Sequence, residues 1–289
     1  LTQSMIFGRS PKRSHGASAV VTGAGSGIGA AFALELARRG SAVVCSDIDD
    51  DSARRTAEAI TAAGGEATAV HCDVSAIDEV SALADAAQSW FGHSPTLVIN
   101  NAGVGAGGRQ IGDMALDDWT WTLNVNLWGP IHGCHVFTPM LRAAGSDRPR
   151  GIINVASAAS FGAAPEMAAY NVSKAGVLSL SETLAAELSG TGIGVTVLCP
   201  TFVKTNIVES GRVTAQSGEA ANLLMRFTGI SAARVARDCL DTHDRGGLYC
   251  MPQLDAKIGW NVKRFAPQTF TRSIGLAFRA GAALPGRAD

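Results

Sequence analysis

The sequence predicts an α/β protein with a doubly wound parallel sheet of about seven strands and helices on both faces, all in one domain. Three observations point there. Short, β-branched apolar runs alternate with longer stretches of helical periodicity along most of the chain. A glycine-rich turn lies between the first such run and the first helix. No repeat, low-complexity tract or linker divides the 289 residues, a length that suits one large domain. Strands joined by helices at this spacing form parallel βαβ units, whose ligands collect at the carboxyl ends of the strands.

The chain opens on residues 1–16, basic at Arg9, Lys12, Arg13 and His15 but without an apolar core or a cleavage site. This is expected to be a disordered leader. Residues 17–21 read as the first strand, and the turn from Thr22 to Gly29 follows at once, with the pattern T-G-x-x-x-G-x-G. Its glycines are Gly23, Gly25, Gly27 and Gly29, with Ser26 and Ile28 interleaved. A helix runs on through Phe32, Leu34 and Leu36 to Gly40. Backbone N–H groups and the helix dipole at such a junction favour a phosphate, and glycine lets the backbone come close. A G-x-G-x-x-G register would need glycine at Ile28, and a phosphate-binding Walker loop would need Lys and Ser/Thr at Ala30 and Ala31.

Residues 42–47 are the second strand, ending in Asp47 and followed by Ile48. A carboxylate there can accept from both hydroxyls of an adenosine ribose and repels a 2′-phosphate. Ser26 and Ile48 supply no cation, and Arg54 and Arg55 lie further along the next helix. NAD is therefore favoured over NADP. The competing reading makes Asp47 a helix cap, a part Asp49 or Asp50 could also play.

A helix over 53–63 ends at Gly64-Gly65, and the third strand over 67–72 leads into Asp73 and Val74. A helix over 77–91 and a strand over 96–99 deliver Asn100, Asn101, Ala102 and Gly103 to the edge that carries the glycine-rich turn. Residues 104–112 read as a loop, and one long helix over 117–141 carries Asn124, Asn126, His132 and His135. The two histidines lack further ligands, so no metal is expected. The fifth strand over 151–156 ends at Ser157, followed by a small apolar loop over 158–167 and a helix to Gly190. The sixth strand covers 194–199. Residues 206–229 are less regular, and a loop that long in a compact domain is usually functional, a lid for instance. Ser231 caps a helix to Leu240, and a last strand covers 247–251.

Tyr170 and Lys174 stand four apart in one of these helices and so share a face. A free phenol titrates near ~10, and a positive charge beside it favours the phenolate, whereas burial opposes it. Such a tyrosine can act as a general acid or base.

Taken in order, the Thr22-to-Gly29 turn, Asp73, the Asn100-to-Gly103 run, an Asn in the long helix, Ser157, Tyr170 and Lys174 resemble the short-chain dehydrogenase/reductase superfamily over residues 17–251. The resemblance implies a Rossmann-like domain and assigns catalysis to Asn126, Ser157, Tyr170 and Lys174. Tyr170 would exchange the substrate proton, Lys174 would lower its pKa and hold the nicotinamide ribose, Ser157 would bond the reacting oxygen, and Asn126 would hold a relay water. Asp73 and Val74 would meet the adenine. Asn101, Ala102 and Gly103 would line the cofactor cleft, with Pro200, Val203 and Thr205 at the nicotinamide end. A homodimer or homotetramer on the Asn126 and Tyr170 helices is implied as well. Two departures stand out: Thr201 replaces the frequent glycine after the sixth strand, and residues 252–289 form a C-terminal extension.

Composition narrows the partners. With 46% hydrophobic and 17% charged residues and a net charge of -1, nothing suggests nucleic acid. The six scattered cysteines lack a C-x-x-C pair, as expected of reduced thiols in a cytoplasmic protein. No apolar run suffices for a membrane span. The extension mixes basic and aromatic residues and is expected to pack on its own domain or a partner subunit rather than on a membrane surface. Val104, Ala158, Phe161, Met167 and Phe202 favour a hydrophobic substrate. The expected function is hydride transfer between NAD and a secondary alcohol or ketone. An NADP-linked carbonyl reductase and a non-catalytic nucleotide sensor on this fold are the alternatives.

Overall fold

The computed structural model describes residues 12–145, 148–205, 207 and 211–282. The first half runs β1 (Ser18–Thr22), α1 (Gly27–Arg38), β2 (Ala42–Asp47), α2 (Asp50–Ala62), β3 (Ala67–His71), α3 (Ile77–Phe91), β4 (Leu97–Asn100) and β5 (Ala106–Gly107). There follow α4 (Leu116–Leu123), a π-helical turn (Asn124–Trp128), α5 (Gly129–Ala143), β6 (Arg150–Val155), α6 (Ala159–Gly162) and α7 (Ala168–Glu187). Next come β7 (Ile193–Leu198), β8 (Val203–Lys204), β9 (Arg212–Val213), α8 (Ala215–Thr228), β10 (Ile230–Ser231) and α9 (Ala232–Asp244). The chain closes with β11 (Tyr249–Cys250), α10 (Leu254–Phe265) and α11 (Pro267–Ala282).

Seven strands form one parallel sheet in the order β11-β7-β6-β4-β1-β2-β3. The order reverses at β1 and β4, which opens a crevice at their carboxyl ends. Because helices cover both faces, alternate residues of each strand enter different cores. Ala19, Val21, Val43, Ile99 and Ile153 pack with Phe32 and Leu36 of α1 and Val235 and Leu240 of α9. Val20, Val44, Val98 and Ile152 pack on the other side with Leu83 of α3, Phe137 and Leu141 of α5 and Leu184 of α7. This is the doubly wound sheet that the alternating pattern predicts.

Four segments differ from the sequence reading. The helix expected over 117–141 is interrupted by the π-helical turn at Asn124–Trp128, so its second half is rotated relative to a regular helix. The apolar loop over 158–167 contains α6. The irregular stretch over 206–229 contains β9 and α8, and β9 pairs with β5 inside the expected 104–112 loop. Arg212 secures that pairing, reaching Asp118 at 2.8 Å and lying over the Trp121 ring at 4.4 Å.

The fourth difference is at the amino end. Of the expected leader, residues 1–11 lie outside the described residues, but residues 12–16 are held. Ser14 is buried, and its N–H and Oγ donate to the Asp244 carboxylate at 2.8 and 2.7 Å. Arg39 joins the same cluster, donating to Ser14 Oγ at 2.9 Å and to Asp241 at 2.8 Å. A buried carboxylate needs such donors, and the chain before β1 supplies them. At the other end, residues 283–289 lie outside the described residues, while α10 packs on its own domain. Trp260 meets the Phe161 ring edge-on at 5.3 Å and Tyr249 at 5.3 Å, and Ala256 is buried. Among the described residues no helix is long and apolar enough to cross a membrane.

His243, at the end of α9, is buried with Nδ1 2.9 Å from Thr196 Oγ1. Burial first, and then the charge of Arg13, bring its pKa down from 6.5 to about 3. The native state therefore binds fewer protons than the unfolded chain between those values, and stability falls as pH drops from 6.5 towards 3. From pH 7 to pH 5 the loss from this group is expected to be about 2 kcal/mol. Urea unfolding of His243→Asn beside wild type checks it: the variant should lack that share of the acid slope, and equal slopes would contradict it.

Candidate active site

The glycine-rich turn is fastened to its neighbours by the ends of two strands. Thr22, the last residue of β1, accepts at Oγ1 from the N–H groups of Asn101 at 3.0 Å and Ala102 at 3.2 Å. Asn101 returns the contact, donating from Nδ2 to the carbonyls of Thr22 at 2.9 Å and Gly23 at 3.2 Å. A Cβ on Gly29 would run into the Gly23 carbonyl and the Asn101 amide, so only glycine fits there. Ser26 stands in extended conformation before α1 and makes no side-chain cap. The N-terminal turn at Gly27 and Ile28 is thus left for an anion. Thr205 reaches this turn from the far side, its methyl group 3.2 Å from where a Gly27 Cβ would sit.

Asp47 faces the same turn. Its Oδ2 accepts from Gly25 N–H at 2.8 Å and its Oδ1 from Asp49 N–H at 3.1 Å. The cap of α2 is Asp49, which accepts from Asp51 N–H and Ser52 N–H, both at 3.1 Å. The competing reading of Asp47 as that cap does not hold. One expectation about cations also changes: Arg55 folds back to donate to Ser52 Oγ at 2.7 Å, which brings it to the edge of this corner. Ile48 beside it is exposed. Asp73 closes a turn by accepting from Ser75 N–H at 2.9 Å, and buried Val74 lies beneath Gly129 with its carbonyl 2.9 Å from His132 Nδ1. His132 is thereby tied to backbone, and His135 is exposed.

The reacting half is built on α7. Lys174 is 3% exposed, and its Nζ donates to the Val155 carbonyl, the last of β6, at 3.0 Å. Ser160 of α6 donates to the Lys174 carbonyl at 2.8 Å and binds the two helices together. Burial lowers the Lys174 pKa from 10.5 to about 8. The ammonium lies 5.9 Å from the centre of the Tyr170 ring. Burial raises the Tyr170 phenol above its usual value, and a hydrogen bond from Ser157 offsets only part of that rise. The sequence assigns Lys174 the part of lowering that pKa. In the free protein desolvation dominates both groups, and the hydrogen bond that acts on the phenol comes from Ser157.

Ser157 follows β6 and accepts at Oγ from Ala159 N–H at 3.1 Å, with the Pro200 carbonyl at 3.5 Å. Asn126, in the π-helical turn, accepts from Val104 N–H at 2.7 Å and donates to the Val104 carbonyl at 2.8 Å. Its side chain thereby holds the loop after β4. Gly103 is confined between the two: a Cβ there would lie 3.0 Å from Asn126 Oδ1 and 3.3 Å from Lys174 Nζ. Val203 is buried in β8, paired with β10. Phe161, expected in a substrate pocket, is turned into the core against Trp260.

Sequence reasoning gave no role to the Thr22 hydroxyl or to the Val104 and Val155 backbone groups. Thr22 opens the glycine motif and could have been suspected; a backbone carbonyl leaves no residue signature. The uncapped helix start, the carboxylate at Asp47 and a buried ammonium with spare donors are together the chemistry that suits a nicotinamide dinucleotide.

Comparison with known proteins agrees. The family model for short chain dehydrogenases matches residues 17–215. The chain is 36% identical over 242 residues to 1-deoxy-11-beta-hydroxypentalenate dehydrogenase of Streptomyces exfoliatus, covering 83% of this chain and 84% of that protein. It is 41% identical over 188 residues to the probable oxidoreductase EphD of Mycobacterium tuberculosis, covering 65% of this chain but only 31% of that longer relative. Among solved structures, a short chain dehydrogenase/reductase of Burkholderia phymatum in complex with NAD superposes with a TM-score of 0.82 at 33% identity, covering 89% of this chain and 96% of that one.

The lowered pKa of Lys174 carries a stability cost below about 8 that disappears as pH rises towards 10.5. Lys174→Met should therefore stabilise the cofactor-free protein at pH 7 by about 1–2 kcal/mol, the lost bond to Val155 offsetting part of the gain. The advantage should shrink between pH 8 and 10.5. Chemical denaturation across that range tests it, and a variant less stable than wild type at pH 7 would contradict it.

Proposed function

The chain belongs to the short-chain dehydrogenase family, and from that premise we propose that it oxidises a hydrophobic secondary alcohol, or reduces the matching ketone, with NAD. The observation that carries the reading is the meeting of Ser157, Tyr170 and buried Lys174 at the edge of the crevice where the glycine-rich turn opens. NAD, when bound, supplies the hydride acceptor. The protein's task is to orient the two partners and move one proton.

In oxidation, Ser157 would donate to the substrate oxygen and Tyr170 would take the hydroxyl proton as the phenolate, which the positive charges of Lys174 and of the oxidised nicotinamide would favour against the burial that raises its pKa in the free protein. Charge developing on that oxygen is stabilised by fixed donors in a dry site. Lys174, with its pKa lowered to about 8, would donate to the cofactor ribose and relay the proton onward, and Asn126 would keep the neighbouring loop closed. Gly23, Gly25, Ser26, Gly27, Ile28 and Gly29 would hold the pyrophosphate, Asp73 and Val74 would border the adenine, and Pro200, Val203 and Thr205 would meet the nicotinamide. Asp47 would accept from the adenosine ribose in place of, or beside, Gly25 N–H, which would favour NAD. Arg55 at the corner supports NADP as the second reading. Val104, Ala158, Met167 and Phe202 border the substrate side, and their apolar side chains support an apolar alcohol there. A homodimer or homotetramer in the cytoplasm completes the proposal; all six cysteines are buried and unpaired, as in a reducing compartment.

A panel of secondary alcohols, from short aliphatic to terpenoid-sized, with NAD or NADP tests this by reduced-cofactor formation. Turnover with NAD is expected, falling about 10³-fold in Tyr170→Phe while calorimetric NAD affinity survives. Asp47→Ala should narrow the preference for NAD by about tenfold or more. Wild-type turnover confined to NADP would reverse the cofactor assignment, and full activity in Tyr170→Phe would end the catalytic one.

A further inference from the structure

The extension after β11 does more than cover the domain. Gln253 stands at the N-cap position of α10 yet makes no cap hydrogen bond to its own helix. The side chain is instead 8% exposed and turned to the segment after β7. Its Oε1 accepts from Thr201 N–H at 3.3 Å and its Nε2 donates to the Phe202 carbonyl at 3.0 Å. A primary amide that both accepts from and donates to one short segment fixes that segment as an added strand would. Two residues on, Asp255 accepts from Thr201 Oγ1 at 3.2 Å.

The clamped segment leads straight into the site. The Pro200 carbonyl accepts from Ala158 N–H at 2.8 Å and lies 3.5 Å from Ser157 Oγ. On its other side the chain runs into Val203 and then Thr205, which touches the start of α1. The same helix braces the second wall: Trp260 packs on Phe161 of α6, and Ala256 shares a core cluster with Ala156, Phe161 and Cys199. The wall on either side of Ser157 is thus held from α10.

We propose that Gln253 is a positioning residue that clamps Thr201 and Phe202, and through them sets Ser157 and the nicotinamide-facing loop. What the loop faces rests on the dehydrogenase reading above; the clamp itself does not. The extension is then part of the catalytic unit, and a boundary at residue 251 cuts through it.

Two readouts on the full chain test this: amide hydrogen exchange over residues 200–205, and NAD affinity by calorimetry without substrate. In Gln253→Ala, exchange over 200–205 should quicken about tenfold or more while β1 and β4 stay protected, and NAD should bind about five- to thirtyfold more weakly. Gln253→Glu keeps the acceptor for Thr201 but loses the donor to Phe202, so it should fall between the two; it also carries the test if the alanine variant fails to fold. Ile258→Ala, on the exposed side of α10, should change neither readout. Unchanged exchange over 200–205, or faster exchange with unaltered NAD affinity, overturns the proposal. If wild type binds neither NAD nor NADP, the dehydrogenase reading fails, and exchange over 200–205 alone upholds or overturns the clamp.

Discussion

The structure turns on one expensive placement: the Lys174 ammonium, almost wholly removed from water. An unpaired buried charge costs several kcal/mol unless donors and acceptors replace the lost solvent. Among the described residues, the hydrogen-bond acceptor it meets is one backbone carbonyl, that of Val155. Its pKa drops accordingly to about 8. Much of the surrounding architecture keeps that carbonyl and that amine together. The end of β6 presents Val155, α6 grips α7 through Ser160, and Gly103 leaves the room that any side chain would fill. An ammonium held so loosely and so dry is ready for a ligand that brings acceptors. It can also lose its proton near neutral pH, which a surface lysine cannot.

The nucleotide half solves the opposite problem, holding open a backbone surface rich in donors. Asn101 and Thr22 lock β1 and β4 together where the sheet order reverses, and Asp47 pins Gly25 from β2. The three strand ends therefore position the turn as a rigid unit, and α1 begins without a cap because nothing in the chain needs to fill that place. Rigidity here and strain at Lys174 serve the same end. Both halves are arranged before anything binds, so little ordering remains to be done on association.

The sheet was legible because its strands are buried on both faces and read as unbroken apolar runs between helical periods. The site was legible where chemistry needs a side chain: Tyr170 and Lys174 by their spacing, Ser157 by its place at a strand end, Asp47 by its strand-end carboxylate. What escaped was carried by backbone or by distant contacts. The π-helical turn at Asn126 follows from no local propensity, since α-helix and π-turn share the same residues. The pairing of β5 with β9 joins two stretches that are each too short to read as strands. Charge alone suggested a free amino end, but Asp244, 230 residues away from Ser14, decides its position. No local pattern marks Gln253, whose partners Thr201 and Phe202 lie 52 and 51 residues away along the chain.

The most direct test of the central claim is the titration of Lys174 itself, followed through the 13Cε resonance of the lysine in the cofactor-free protein. The signal is assigned by comparison with Lys174→Met. A midpoint near 8 is the result expected of an ammonium desolvated at this site. A midpoint near the ordinary 10.5 would mean that water reaches the group, and the account of a dry, poised proton site would fail.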